Sequence, residues 1–262
     1  MFDYSKIKDT GFFKDNVLPA HSDHAYFPDE ESLRAGGENP FFSSLNGIWK
    51  FSYGRNLTET IKGFEQPCYD CRGWADIRVP AHIQMEGYDA PAYVNTQYPW
   101  DGREDIWDGE VPKDFNPTAS YVRYFHVPDQ MQGQPLYISF QGVESGMALW
   151  LNGKYVGYSE DSFTPSDFEL TPYLVEGENK LALQVYKWTS GSWAESQDFY
   201  RFSGIFRDVY LYTKPAVHIE DLSVQALLDS AYTEGELRLA VKSQGSGTVE
   251  LALSETPLYR VP

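Results

Sequence analysis

The sequence predicts an all-β fold, an antiparallel jelly-roll sandwich followed by the beginning of an immunoglobulin-like β-sandwich. Three observations carry this. Short runs of alternating polar and apolar residues recur along the chain with turn residues between them. No segment offers an amphipathic helix longer than a few turns. Aromatic residues make up 16% of the chain, with 19 Tyr and 7 Trp among them, and such side chains suit the pleated, half-buried surface of a strand.

Residues 1–40 read as an irregular arm, because "LPAHSDHAYFPDEES" and "RAGGENP" supply turn residues and hold no sustained period. From residue 41 the character changes. In "SLNGIWKFSYG" the residues Trp49, Phe51 and Tyr53 alternate with Ile48, Lys50 and Ser52, which gives one aromatic face and hence a half-buried strand. Further strands are expected in "SYVRYFHVP", "QPLYISFQGV", "GMALWLNGKYVGYS" and "NKLALQVYKW", where Leu181, Leu183 and Val185 keep a period of two. Asn152-Gly153 lies between two alternating runs, and a type I′ hairpin turn needs φ > 0 at both central positions, so this pair predicts a hairpin. The jelly roll is expected to end near 214, where Pro215 removes a backbone donor.

In the third region, 215–262, the pattern restarts with "HIEDLSVQALL", "GELRLAVKSQG" and "GTVELALSE". An immunoglobulin-like sandwich takes about seven strands in about 100 residues. Three strands do not close such a core, so the chain reads as a fragment or as one completed by another chain.

Charge excludes some partners. The net charge is −17, from 21 Lys and Arg against 38 Asp and Glu, so nucleic acid and anionic membrane are repelled over most of the surface. No apolar run reaches about 18 residues, and the first twenty residues lack the apolar centre of a signal peptide. A cytoplasmic protein with no membrane partner is expected. Cys68 and Cys71 form a lone C-x-x-C with neither a second pair nor H-x-x-x-H to complete a zinc site, and read as two loop thiols. His21 and His24 are similarly isolated and read as surface or packing residues.

Set side by side, "GYDAPAYVNTQYPW", "NPTASYVRYFHVP", "GVESGMALWLNGKYVGYSEDSFTPSDFELTPYL", "EGENKLALQVYKW" and "QDFYRFSGIFRDVYLY" resemble the amino-terminal part of the bacterial β-galactosidases of glycoside hydrolase family 2. The resemblance runs in order from about Leu18 to Tyr212 and continues more weakly beyond. It implies a galactose-binding-like jelly roll, then an immunoglobulin-like domain, then a catalytic (β/α)8 barrel that lies outside this chain. The two carboxylates of such a retaining glycosidase, about 5 Å apart, belong to the barrel. No catalytic residue is therefore assigned here, and the chain alone is expected to be inactive.

The resemblance also implies two substrate-binding residues. Asn95, in "YVNTQYP", matches an amide that donates to and accepts from sugar hydroxyls. Asp198, in "SQDFYRFSG", matches a carboxylate that meets galactosyl hydroxyls and ligates a sodium ion shared with the barrel. Magnesium is implied for the parent enzyme on barrel ligands, and the parent is expected to be a homo-oligomer acting on a β-galactoside sugar. Without the family, Asp198 would be one of 38 acidic residues and Asn95 a turn residue.

Around Asp198, the residues Phe199, Tyr200, Phe202, Ile205, Phe206, Val209 and Leu211 are expected to pack between strands and toward the barrel, while Arg201 and Arg207 are expected to neutralise carboxylates such as Asp208. The loop "WDGREDIWDGEVPKDF" is longer and more acidic than expected of the family. Its Trp100 and Trp107 read as apolar staples of a long loop, with stacking on an aglycone sugar as the alternative. A competing reading of the whole chain is a free-standing carbohydrate-binding module.

Overall fold

The computed structural model describes residues 2–37, 39–195 and 198–250. Two antiparallel sheets face each other. The larger has seven strands in the order Lys14–Asp15, Lys154–Ser159, Gly146–Leu151, Glu178–Tyr186, Thr118–His126, Gly47–Gly54 and Ala75–Val79. The smaller runs Ser166–Glu169, Tyr137–Phe140, Val209–Tyr212 and Phe42–Ser44. The all-β jelly-roll expectation holds.

The period of two decides which side chains meet. Leu181, Leu183 and Val185 of the larger sheet enter the inter-sheet core with Trp49, Phe51 and Leu149, opposite Ile138, Phe140, Val209 and Leu211 of the smaller one. Ala182 and Tyr186 turn the other way and join a second apolar cluster with Trp150, Tyr158 and Phe64. The larger sheet is thus buried on both faces, which is why its strand Gly146–Leu151 reads as continuous apolar sequence. The hairpin forms at Asn152-Gly153, with φ of 53° and 79° and Lys154 opposite Leu151.

The amino-terminal arm covers the outer face of the larger sheet. Phe2 stacks on Tyr158 at 5.1 Å between centroids, Ile7 is buried beside it, and Lys14–Asp15 pairs with the edge strand Lys154–Ser159, shielding its open hydrogen-bonding groups. The arm is more regular than its sequence suggests. A 3₁₀ turn spans Tyr4–Lys8, and the helix Glu30–Ala35 is capped by Asp29, whose carboxylate accepts from the Ser32 amide at 2.7 Å. Local capping, not an apolar stripe, makes that helix.

Cys71 is buried in the outer cluster and Cys68 is exposed, both as free thiols. His21 bonds Asp167 at 3.0 Å through Nε2, which raises the imidazole pKa against the opposing effect of burial. His24 reaches the Ile219 carbonyl at 2.8 Å, and Ser22 donates its amide to Asp221 at 2.8 Å. The arm therefore ties the sandwich to the strand His218–Leu228. That strand pairs with Gly235–Gln244 as an antiparallel hairpin that leaves Val224, Leu228 and Leu237 exposed. The third expected strand, "GTVELALSE", falls largely outside the described residues. Among the described residues no helix is long and apolar enough to cross a membrane.

Candidate functional site

A two-stranded ribbon outside the sandwich positions both residues singled out by the sequence. Ala92–Val94 pairs antiparallel with Phe199–Arg201, with Phe199 opposite Val94, Tyr200 opposite Tyr93 and Arg201 opposite Ala92. Immediately beyond the Phe199–Val94 pair the chain bends at Asp198 and at Asn95, both exposed. Asp198 adopts a left-handed backbone at φ 44°, and the Tyr93 hydroxyl donates to its Oδ1. Hydrogen bonding to Asp198 raises the Tyr93 pKa, so the phenol stays protonated and able to donate.

The ribbon alternates, as a strand must. Tyr200 and Tyr93 meet at 5.1 Å on one side, while Arg201 turns inward and is 3% exposed. Phe199, expected to pack between strands or toward the barrel, is half exposed together with Tyr200 and Phe163. Phe163 contacts Phe199 edge-on at 6.0 Å and Phe206 at 5.8 Å, and His82 stacks on Phe206 at 5.0 Å. The result is an aromatic surface next to Asp198.

Beneath the ribbon lie buried charges that the sequence reading did not single out. Glu144 is 2% exposed on a short strand where it pairs with Gly204. Burial pushes its carboxyl up to about 7, against the pull of Arg201, the Phe202 amide and Lys187. Burial likewise lowers the Arg201 pKa, and Glu144 and Glu195 oppose that shift. Among the described residues, Glu144 Oε1 and Arg201 Nε and Nη2 find no hydrogen-bond partner. A second pair, Lys187 Nζ to Asp89 Oδ2 at 2.5 Å, is fully buried. The one available signal was a charge inside an apolar run, Glu144 in "GVESGMALWL" and Lys187 in "LALQVYKW".

Arg201 thus faces carboxylates as expected, but the expectation for Arg207 is corrected. Arg207 donates to the Phe163 carbonyl at 2.8 Å and lies over the Phe163 and Phe206 rings, whereas Asp208 accepts from Asn46 at 2.9 Å. The rings of Phe163 and Phe206 and the Phe163 carbonyl hold the Arg207 guanidinium by cation–π and hydrogen-bond contact, in place of its exposed sequence neighbour.

The long loop after Asn95 is also partly corrected. Trp100 is a staple, 4% exposed, stacked on Tyr98 at 5.1 Å and against Trp193 at 5.0 Å. Trp107 is not, being 87% exposed. Between this loop and Trp193 opens a cleft of about 230 Å³.

Residues 42–215 match the family described as "Glycosyl hydrolases family 2, sugar binding domain". The chain is 51% identical over 249 residues to a β-galactosidase of Halalkalibacterium halodurans, covering 95% of this chain and 25% of that protein. It is 47% identical over 230 residues to a β-galactosidase of Streptococcus thermophilus, covering 88% and 22%, and 41% identical over 251 residues to a β-galactosidase large subunit of Leuconostoc lactis, covering 91% and 40%. The chain therefore spans well under half the length of these relatives. Among solved structures, a β-glycosidase from Bacteroides vulgatus shares the fold with a TM-score of 0.56 at 24% identity, over 80% of this chain and 25% of that one. The sandwich, its matched span and these relatives together establish that the chain belongs to the sugar-binding domain family of the family 2 glycosyl hydrolases.

Proposed function

We propose that this chain is the amino-terminal, non-catalytic part of a retaining β-galactosidase that hydrolyses terminal non-reducing β-D-galactosides such as lactose, and that Asn95 and Asp198 contribute to its galactose pocket. The carrying observation is the ribbon, which brings an amide and a carboxylate 103 positions apart in sequence to one exposed end beside an aromatic surface. An amide and an ionised carboxylate there supply both donor and acceptor capacity to sugar hydroxyls. The half-exposed Phe163, Phe199 and Tyr200 are the surface against which the catalytic barrel would pack.

The sodium ion implied by the family fits the donor set in part. Among the described residues the Asp198 carboxylate accepts at Oδ1 from Tyr93, and a hard cation favours carboxylate oxygens. Among the described residues no group of three or more His, Cys, Asp or Glu is placed to hold a metal, so Asp198 would act as one ligand among others supplied from outside this chain. Bound there, the ion would hold sugar hydroxyl oxygens in place. Magnesium has no ligand assigned in this chain. A cytoplasmic location and a homo-oligomeric parent belong to the same proposal.

The test compares residues 1–262 with the full-length enzyme on a chromogenic β-galactoside. Turnover is expected only from the latter. Turnover by the purified short chain, abolished by replacing one of its glutamates, would overturn the reading. Saccharide binding by a chain whose full-length form hydrolyses nothing would favour the free-standing carbohydrate-binding module.

A further inference from the structure

We propose that Glu144 and Arg201 are positioning residues for the galactose-contacting Asp198, forming a buried, proton-controlled base beneath the ribbon that carries it. This rests on the function proposed above and extends it from the residues that touch the sugar to the charges that hold them.

The base of the ribbon is a sealed polar layer. On the side of Arg201 the chain is tied down residue by residue. The Phe202 amide donates to the Glu144 carboxylate, the Ser203 amide donates to Gln84 Oε1 at 3.0 Å, and Gly204 pairs with Glu144. The segment leading into Ala92 is held in the same way. Lys187 donates to the Asp89 carboxylate and to the Ala90 carbonyl at 3.2 Å, and Gln84 Nε2 joins Asp89 to Ser203 at 2.9 and 3.0 Å. Both strands of the ribbon therefore leave the sandwich through this one layer.

One part of the layer is unmatched. Arg201 is 3% and Glu144 2% exposed, yet among the described residues Arg201 Nε and Nη2 and Glu144 Oε1 make no hydrogen bond. Leaving such groups unpaired costs their desolvation, most of all for a charge, and folds keep them chiefly where they serve a site. Burial is the largest influence on both residues, and among the surrounding charges each feels the other most.

The charges around Glu144 leave Arg201 as its counter-ion. Lys187, just after the strand Glu178–Tyr186, also faces it, but Lys187 is paired with Asp89 and acted on by Arg103. Glu195, in the short helix Ser192–Glu195, opposes ionisation of Glu144 and itself faces Arg201, Asp161 and Glu160. A protonated Glu144 leaves the guanidinium without a counter-charge. An ionised Glu144 offers it charge-assisted hydrogen bonds. Burial holds the Glu144 carboxyl up at about 7, so both forms are populated near neutrality.

Arg201 reaches Asp198 through one residue. Its guanidinium lies over the Phe199 ring, 5.6 Å from the centroid, and Phe199 both follows Asp198 and forms the last bonded pair with Val94. Fixing Arg201 thus fixes Phe199 and the backbone at Asp198, whose φ of 44° lies in the narrow left-handed region. Ionisation of Glu144 is therefore expected to strengthen galactose binding, and by linkage galactose binding is expected to release its proton.

The experiment measures binding of isopropyl β-D-thiogalactoside, whose sulfur link resists hydrolysis, to the full-length enzyme and to its Glu144→Gln variant between pH 6 and pH 8. Gln keeps an acceptor for the Phe202 amide and holds the neutral form. A carboxyl with a pKa of about 7 passes from about one-tenth to about nine-tenths ionised over that range, so the ratio of wild-type to variant affinity is expected to rise about three- to tenfold. Titrations of the barrel cancel in this ratio. A ratio that falls, or that does not change with pH, overturns the inference. In an Arg201→Gln background the Glu144→Gln change is expected to lose its pH-dependent effect, and the full effect persisting there removes Arg201 from the pair. Where Arg201→Gln does not fold, the ratio from the single variant decides. A second measurement follows amide hydrogen exchange of residues 92–94 and 199–201 in wild type and Glu144→Gln without ligand. Extra protection in the wild type is expected to grow from pH 6 to pH 8, and equal protection at every pH overturns the inference. If the wild type binds no thiogalactoside, the proposed function fails, and the exchange comparison alone decides whether the pair holds the ribbon.

Discussion

Asp198 and Asn95 each adjoin the last bonded pair of a two-stranded ribbon, Phe199 and Val94, at its exposed end. Everything else in the ribbon keeps them there. Arg201 is drawn inward to the buried Glu144 side, and Tyr93 holds the Asp198 carboxylate from the neighbouring strand. The pair is positioned by backbone register, so side-chain changes at the exposed end alter chemistry without moving the scaffold.

Asp198→Asn in the full-length enzyme is accordingly expected to fold normally and to lose activity. The amide keeps the shape but removes the charge, which weakens the charge-assisted bonds to sugar hydroxyls, each worth about 1.5–3 kcal/mol. Where those bonds tighten as the sugar ring flattens, kcat falls as well as KM rising. Steady-state kinetics across a sodium titration check this, and wild-type constants with an unchanged sodium response would remove Asp198 from the pocket.

Gly204→Ala is expected to destabilise the sandwich by about 2–4 kcal/mol. Gly204 has φ of 111°, and an added Cβ would lie 2.9 Å from both Ile83 Cγ2 and the Tyr121 hydroxyl, with the Ala81 carbonyl at 3.1 Å. The contacts are backbone and fully buried side chains, which give little. Urea unfolding of the chain reads the loss, and a midpoint unchanged from wild type would show that the Gly204–Glu144 strand pair tolerates a side chain.

The sandwich was legible because its signals are local. Alternation at Trp49/Phe51 and at Leu181/Leu183/Val185, and the paired turn residues Asn152-Gly153, each report geometry within a few positions. The site was legible only through family likeness. Asp198 and Asn95 come to one end of the ribbon through the pairing of distant segments, and nothing local distinguishes either from other exposed polar residues. Glu144 and Lys187 escaped notice because a charge in an apolar run has no local partner. Theirs are Arg201 and Asp89, brought in by the fold. Trp107 was misread for the complementary reason, since aromatic content in a loop does not say which ring packs inward.

A further expectation concerns the unit after Pro215. The hairpin of His218–Leu228 with Gly235–Gln244 exposes Val224, Leu228 and Leu237, and a two-stranded hairpin is at best marginal alone. Limited digestion of residues 1–262 with chymotrypsin is expected to cut within 224–239 first and to leave about 42–214 intact. Early loss of the sandwich with the hairpin preserved would contradict this.

Glu144 makes a prediction about pH. Its folded-state pKa is raised to about 7 from the ordinary 4.5, by burial above all and against the opposing effect of Arg201 and Lys187, with Glu195 adding to the rise. A raised carboxyl pKa means that the folded state holds a proton which the unfolded state has released. The associated stability is fully present below about pH 4.5, is lost as pH climbs toward 7, and changes no further above it. The span corresponds to roughly 3 kcal/mol at most. Glu144→Gln keeps an acceptor for the Phe202 amide but cannot ionise. Its stability relative to wild type is therefore expected to improve from pH 5 to pH 8 by up to about 2.5 kcal/mol, while all other titrating groups cancel in the difference. Urea unfolding of both proteins at several pH values measures this, and a difference independent of pH would show that Glu144 is ionised throughout, held by Arg201 as a full ion pair.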